Sequence, residues 1–399
     1  MDIYPHFSEA CGRENHLLPL YILLPIIGQF YWSVNGKMTR AAAKSIKKWL
    51  PRLAIIAIMT ILKKPEGGGN GEKFDILRLD ARAVFRRKKM EEEISMSQPI
   101  IRYTTPAVTP MLPEGGVDFA SCERLYDHLI RGGMDGVLIM GSIGEFFSLK
   151  LEEKKELIRT AVRAVDKRAE LIAGTTSLVF SEIVELSNFA LKEGADGVMI
   201  IPPYYFCFDD AGVFRYYDEL AQAIDGRIYI YNFPDRTGYT ISPTVLRDLA
   251  AKHPNIVGVK DTVVGVDHTR EVIKAVRPVR PDFLVYAGFD DNVAHTALIG
   301  GNGGISGLSN LFPELFSAWV KALKAQDMPK VTAIQRMVDS LMDVYSVGFP
   351  FVPAIKEGLV QKGVLRYNTP SKPMRALNEE EKKTLTALMA RFQGVEALV

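Results

Sequence analysis

Cysteine is scarce in this chain: three residues in 399, and Cys11, Cys122 and Cys207 have no CxxC spacing. Three thiols cannot all pair, so a disulfide framework is not expected, and unclustered thiols do not read as a zinc site. That usage points to the reducing cytoplasm. Net charge is equally scant, with 49 basic against 47 acidic residues leaving +2. So weak a field recruits neither nucleic acid nor anionic lipid, and a small molecule is the expected partner. No Gly-rich dinucleotide loop follows an early strand, which argues against an open doubly wound sheet. Asp290, Asp291 and His295 lack a further ligand at a recognisable spacing and read as capping and packing residues. Neither a metal nor an organic cofactor is expected.

What is present divides the chain in two. Residues 1–96 read as an extension unlike the rest. Leu17–Gly36 carries no charge and is long enough to span a bilayer, but Pro19, Pro25, Gln29 and Asn35 interrupt it. Leu53–Leu62 is too short to span, and Gly67-Gly68-Gly69-Asn70-Gly71 reads as a flexible linker. The preferred reading is sequence upstream of a start at Met90 or Met96; a membrane anchor and a targeting segment are the alternatives. If Leu17–Gly36 inserted, the basic residues after it would leave the remainder in the cytoplasm.

From Ser97 onward, apolar runs of strand length alternate with amphipathic runs of helix length. The expected strands are Tyr103–Thr109, Gly136–Met140, Leu171–Gly174, Gly197–Ile201, Ile228–Asn232, Ile256–Lys260, Phe283–Ala287 and Gly304–Ser306. Between the second and third, Leu157, Ile158, Ala161, Val162 and Val165 recur at three- and four-residue spacing. Asp118 and Ser121 are plausible caps of a first helix, and Ser242-Pro243 opens another. Gly133-Met134-Asp135-Gly136-Val137-Leu138-Ile139 returns as Gly194-Ala195-Asp196-Gly197-Val198-Met199-Ile200, with a weaker copy around Gly258. Gly136, Gly197 and Gly258 are 61 residues apart each time (197 − 136 and 258 − 197), the length of two βα units. The expectation is a (β/α)8 TIM barrel over 97–311, followed by a helical extension over 312–399.

In such a barrel the active site lies at the C-terminal ends of the strands. Lys260 closes an apolar strand there. Desolvation in such a wall favours the uncharged amine, the form that attacks a carbonyl. A snorkelling or ion-paired lysine is the alternative. Tyr231 and Tyr205, at neighbouring strand ends, suit proton transfer with Ser142 as a hydroxyl link, or else pack as amphipathic core residues. Gly141 and Gly144 would let backbone N–H groups approach an anion. Arg236 suits a carboxylate on a substrate, or an ion pair with Asp235 or Glu145.

Taken together, Gly141-Ser142-Ile143-Gly144-Glu145, Pro203-Tyr204-Tyr205, Tyr231-Asn232-Phe233-Pro234, Gly258-Val259-Lys260-Asp261 and Gly303-Gly304-Ile305-Ser306 resemble the dihydrodipicolinate synthase / N-acetylneuraminate lyase family. The resemblance covers about Ile101–Phe392. It implies Lys260 as a Schiff-base lysine for pyruvate and Tyr231 as the proton carrier beside it, with Ser142, read from the residues themselves, as the expected catalytic link. It also implies Tyr205 as a relay lent across a subunit interface, in a homotetramer built as a dimer of dimers. Ile143, Arg236, Gly288 and Ile305 are the expected substrate-binding positions. Arg236 resembles the arginine with which 4-hydroxy-tetrahydrodipicolinate synthases hold aspartate semialdehyde, and condensation of pyruvate with that aldehyde is the leading reading. Gly144-Glu145-Phe146 and Gly288-Phe289-Asp290-Asp291 look instead like 2-keto-3-deoxy sugar acid aldolases, the alternative. Ile143 departs from the threonine of the synthases and removes a side-chain contact to the pyruvate carboxylate, which leaves a weakened barrel with a binding or regulatory role as a third possibility.

Overall fold

The computed structural model describes residues 100–392. Leu17–Gly36 and the rest of the N-terminal extension lie outside the described residues. Among the described residues no helix is long and apolar enough to cross a membrane.

Eight parallel strands close into a barrel in chain order: β1 Arg102–Pro106, β2 Gly136–Ile139, β3 Glu170–Gly174, β4 Gly197–Ile200, β5 Ile228–Asn232, β6 Ile256–Asp261, β7 Leu284–Ala287 and β8 Gly303–Ile305. β8 closes the ring on β1, with Tyr103 opposite Gly304. Every expected strand is found. The first is shorter than expected because Val108 N–H leaves the ladder and donates to the Asn310 side chain.

Helices cover the outside because each strand is apolar on both faces and must be buried on both. Helix α1 (Phe119–Arg131) starts at Asp118, whose carboxylate accepts from Ser121 N–H at 3.1 Å; its buried stripe is Cys122, Leu125, Tyr126 and Leu129. Asp118 is thus the cap, and Ser121 the third residue that the cap satisfies. α2 (Leu151–Val165) buries Leu157, Ile158, Ala161 and Val165 as the spacing predicts. α3 (Phe180–Glu193), α4 (Asp210–Ala223), the short α5 (Pro234–Thr237), α6 (Pro243–Lys252), α7 (Asp267–Val276) and α8 (Val293–Leu298) complete the ring. Ser242 caps α6 through its hydroxyl, with Pro243 in the first turn.

The 61-residue repeat has a structural cause. Asp135, ahead of β2, accepts from Tyr103 N–H of β1, and Asp196, ahead of β4, accepts from Leu171 N–H of β3, each at 2.9 Å. Asn302, ahead of β8, accepts from Val285 N–H of β7 in the same way. In these three strand pairs one side chain thus satisfies a backbone donor at a strand start, whereas ahead of β6 the Asn255 backbone carbonyl accepts from Ile228 N–H.

After β8 come α9 (Pro313–Ala325), α10 (Met328–Leu341), α11 (Val352–Gln361) and α12 (Glu379–Ala390). α9 carries Trp319 and Phe316, both fully buried, and Phe316 meets the Tyr103 ring at 4.7 Å. Burial of each such side chain contributes roughly 1.5–3 kcal/mol. Between α10 and α11, residues Met342–Ser346 form a 3-10 turn that leads the chain across the C-terminal ends of the strands.

Candidate active site

A cavity of about 650 Å³ opens at the C-terminal ends of the strands. Lys260 reaches it from the penultimate position of β6, only 4% exposed. The register pairs Lys260 with Tyr231 of β5 on one side and Tyr286 of β7 on the other. Its Nζ stands 4.4 Å from the centre of the Tyr231 ring. Tyr231 is itself buried, and its hydroxyl lies 3.4 Å from that of Ser142, in the loop after β2. The sequence thus places an amine, a phenol and a hydroxyl in one chain of contacts.

Of the eight expected site residues, Lys260, Tyr231, Ser142, Ile143, Arg236 and Gly288 line the cavity. Gly288 is required there: a Cβ at this position would fall 1.8 Å from Thr262 Oγ1. Arg236 is exposed, lies over the Phe233 ring at 5.3 Å, and makes no ion pair among the described residues. Neither Asp235 nor Glu145 holds it. Ile305 is wholly buried in β8 and does not line the cavity, which Ser306 and Gly307 meet instead. Tyr205 is 79% exposed and turns away from its own chain's cavity, whereas Tyr204 lines it.

Sequence reasoning did not single out several contributors. Ser306 and Thr262 present buried hydroxyls with no hydrogen-bond partner among the described residues. Met342, Tyr345, Phe349, Phe351 and Met374 reach the cavity from the C-terminal extension, distant in sequence from every strand end. The signal in Ser306 was its place directly after β8; the extension offered none.

Three polar networks hold the frame. Asp290 is buried and accepts from Tyr103 Oη at 2.8 Å, Tyr345 Oη at 2.6 Å and Leu308 N–H at 3.2 Å. Burial pushes its carboxyl up to about 6, against the opposing pull of the hydrogen bonds from Tyr345, Tyr103 and Leu308. Asp261, next to Lys260, accepts from Asn232 at 2.7 Å and Thr269 at 2.6 Å and contacts His268 at 3.0 Å. Burial works against a charge on His268, but the Asp261 carboxylate outweighs it and raises the imidazole above its ordinary value. The Glu145 carboxylate, 2.5 Å from the Lys356 ammonium of α11, accepts from Ser371 N–H at 2.6 Å and so ties the β2 loop to the extension.

A parallel barrel that presents a buried amine, a tyrosine–serine contact and a deep cavity at its strand ends has the layout of a lyase acting on carbonyl carbon. The chain belongs to the dihydrodipicolinate synthetase family, whose family model matches residues 100–391, and it is a lyase of that family. It is 34% identical over 288 residues (72% of this chain, 95% of the relative) to YagE of Escherichia coli (strain K12), provisionally assigned as a 2-dehydro-3-deoxy-D-gluconate aldolase. It is 31% identical over 281 residues (70% and 95%) to a 4-hydroxy-tetrahydrodipicolinate synthase of Hydrogenobaculum sp. (strain Y04AAS1). The crystal structure of YagE in complex with pyruvate superposes with a TM-score of 0.72 at 33% identity, covering 73% of this chain and 98% of that one.

Proposed function

We propose that this chain is a Schiff-base aldolase that joins and parts pyruvate and an aldehyde. The carrying observation is the Lys260 amine, buried at a strand end against Tyr231, which in turn meets Ser142. In the cleavage direction the amine adds to the ketone of a 4-hydroxy-2-oxo acid, and water leaves as the imine forms. The 4-hydroxyl then gives up its proton, the C3–C4 bond breaks to release the aldehyde, and the electron pair rests in an enamine. Protonation at C3 and hydrolysis return pyruvate and the free lysine. Tyr231 carries the protons, with Ser142 as the link outward. Tyr205, turned to the surface, is suited to serve a neighbouring subunit's cavity in a homotetramer built from dimers.

Condensation of pyruvate with aspartate semialdehyde is the second reading, and Arg236, unpaired at the cavity, favours it. Against it stands the cavity lining, which among the described residues includes no Asp or Glu. The ammonium of that aldehyde would therefore lose water without gaining a carboxylate. Ile143 likewise supplies no hydroxyl. Pyruvate release from 4-hydroxy-2-oxo acids, run beside condensation of pyruvate with aspartate semialdehyde, separates the readings. Cleavage should be the faster. If condensation is efficient and Arg236→Leu lowers its kcat/KM by about 10- to 150-fold, the equivalent of a charge-assisted hydrogen bond of roughly 1.5–3 kcal/mol, the synthase reading replaces this one.

A further inference from the structure

The cavity is far larger than a three-carbon acid needs, and its remaining wall is mostly apolar. Its polar side chains are Lys260, Ser142, Tyr231, Thr262 and Ser306, together with the Tyr204 and Tyr345 hydroxyls and the Arg236 guanidinium. Elsewhere the lining includes Phe146, Phe233, Phe289, Met342, Phe351 and Met374, drawn from three βα loops and the C-terminal extension. The aromatic rings form a surface in three contact groups. Phe233 stacks on Tyr231 at 5.7 Å and 21°, and Phe289 meets Phe233 edge-on at 6.2 Å. Phe146 meets Tyr204 edge-on at 6.4 Å, and Phe351 meets Tyr345 at 4.6 Å. The Tyr345 hydroxyl is already committed to Asp290, so this residue gives the cavity its ring. The Arg236 guanidinium lies along the Phe233 ring and extends that surface.

A polyhydroxylated aldehyde fits such a wall poorly, because beyond the groups beside Lys260 only Tyr204 and Arg236 could replace the water that its hydroxyls lose. Flat apolar groups fit it well, since offset and edge-to-face contacts among rings add to the burial of apolar area. We propose that the aldehyde half of the substrate has an aryl-sized apolar body, so that the bond made or broken joins C3 of pyruvate to an aryl aldehyde. This rests on the Schiff-base reading above. The chemistry balances without an oxidant: the 4-aryl-4-hydroxy-2-oxobutanoate gives pyruvate and the aryl aldehyde, its 4-hydroxyl proton replacing the broken bond at C3.

The test uses the full-length protein. Pyruvate release is measured from 4-hydroxy-2-oxo-4-phenylbutanoate and from 2-keto-3-deoxygluconate, with borohydride trapping of pyruvate run in parallel. The expected result is trapping together with a kcat/KM for the phenyl substrate at least about tenfold above that for the sugar acid, within the range a complementary apolar site achieves. Phe351→Asn and Phe289→Asn, each placing an amide on the wall, should independently narrow that ratio by about fivefold. Trapping with equal or faster cleavage of the sugar acid overturns the inference and leaves the Schiff-base reading standing. Absence of trapping removes both.

Discussion

At the N-terminal end of the barrel, the Glu170 carboxylate at the start of β3 accepts from Arg227 at 2.9 Å, Tyr229 at 2.9 Å and Arg102 at 3.4 Å. Asp135, Lys167 and Asp196 join it around a cavity of about 410 Å³. At the C-terminal end, Lys260 stands over a tyrosine ring with no carboxylate in ion-pair reach among the described residues. Along β1 and β5 the two cavities are only four residues apart, from Arg102 to Pro106 and from Arg227 to Tyr231. What differs is whether charge is matched. Matched charge at a barrel's base fixes strand starts and contributes stability, whereas an unmatched amine in a mostly apolar cavity suits the chemistry proposed for Lys260. Acidity alone would not separate the two cavities: the base has more titratable groups, and they are occupied with one another.

Substitutions should therefore act differently at the two ends. The largest effect is expected at the top, where Tyr231→Phe keeps the ring and removes the hydroxyl proposed to carry protons. We expect kcat to fall by roughly 10²–10⁴ with the unfolding midpoint unchanged; a loss below about threefold would show that the ring merely packs. At the base, Glu170→Gln leaves two guanidinium groups and a phenol with a weaker acceptor. Stability should drop by about 1–3 kcal/mol in denaturant titrations, while kcat per folded molecule stays at the wild-type value. A fall in kcat with stability intact would erase the contrast.

A smaller effect is expected from Asp290, beneath the top cavity. Its folded-state value is raised to about 6, above the ordinary carboxyl value of 3.8. A raised group contributes stability that is full below the unfolded value and is lost as pH rises through the folded one. Relative to Asp290→Asn, which does not titrate, the wild type should lose roughly 1 kcal/mol between pH 5 and pH 8. A difference that is flat with pH, or that runs the other way, would mean the carboxyl is not held up by burial.

The barrel was legible because its signals are local. Eight apolar runs, the Asp135 and Asp196 repeat, and the Asp118 and Ser242 caps each declare a strand or helix within a few residues. Lys260 was legible for the same reason: a lysine ending Ile256-Val257-Gly258-Val259 has one place to go. The cavity wall was not, because Met342, Phe351 and Met374 arrive from beyond the eighth strand, and their helical periodicity reports burial without saying against what. Strand alternation hid another detail. Ile305, inside β8, is turned into the core, and the residues after it meet the cavity. Glu145 read as part of a glycine loop that approaches an anion; folded, it is buried against Lys356, a pairing across 211 residues (356 − 145) that no local pattern encodes.

The proposed chemistry depends on Lys260 acting as an amine toward a ketone. Pyruvate and sodium borohydride added to the full-length protein, followed by peptide mass mapping, test that directly. The account predicts a stable lactyl-type addition on the peptide bearing Lys260, absent together with turnover in Lys260→Ala. An adduct on another lysine, or one that survives in the variant, would contradict it.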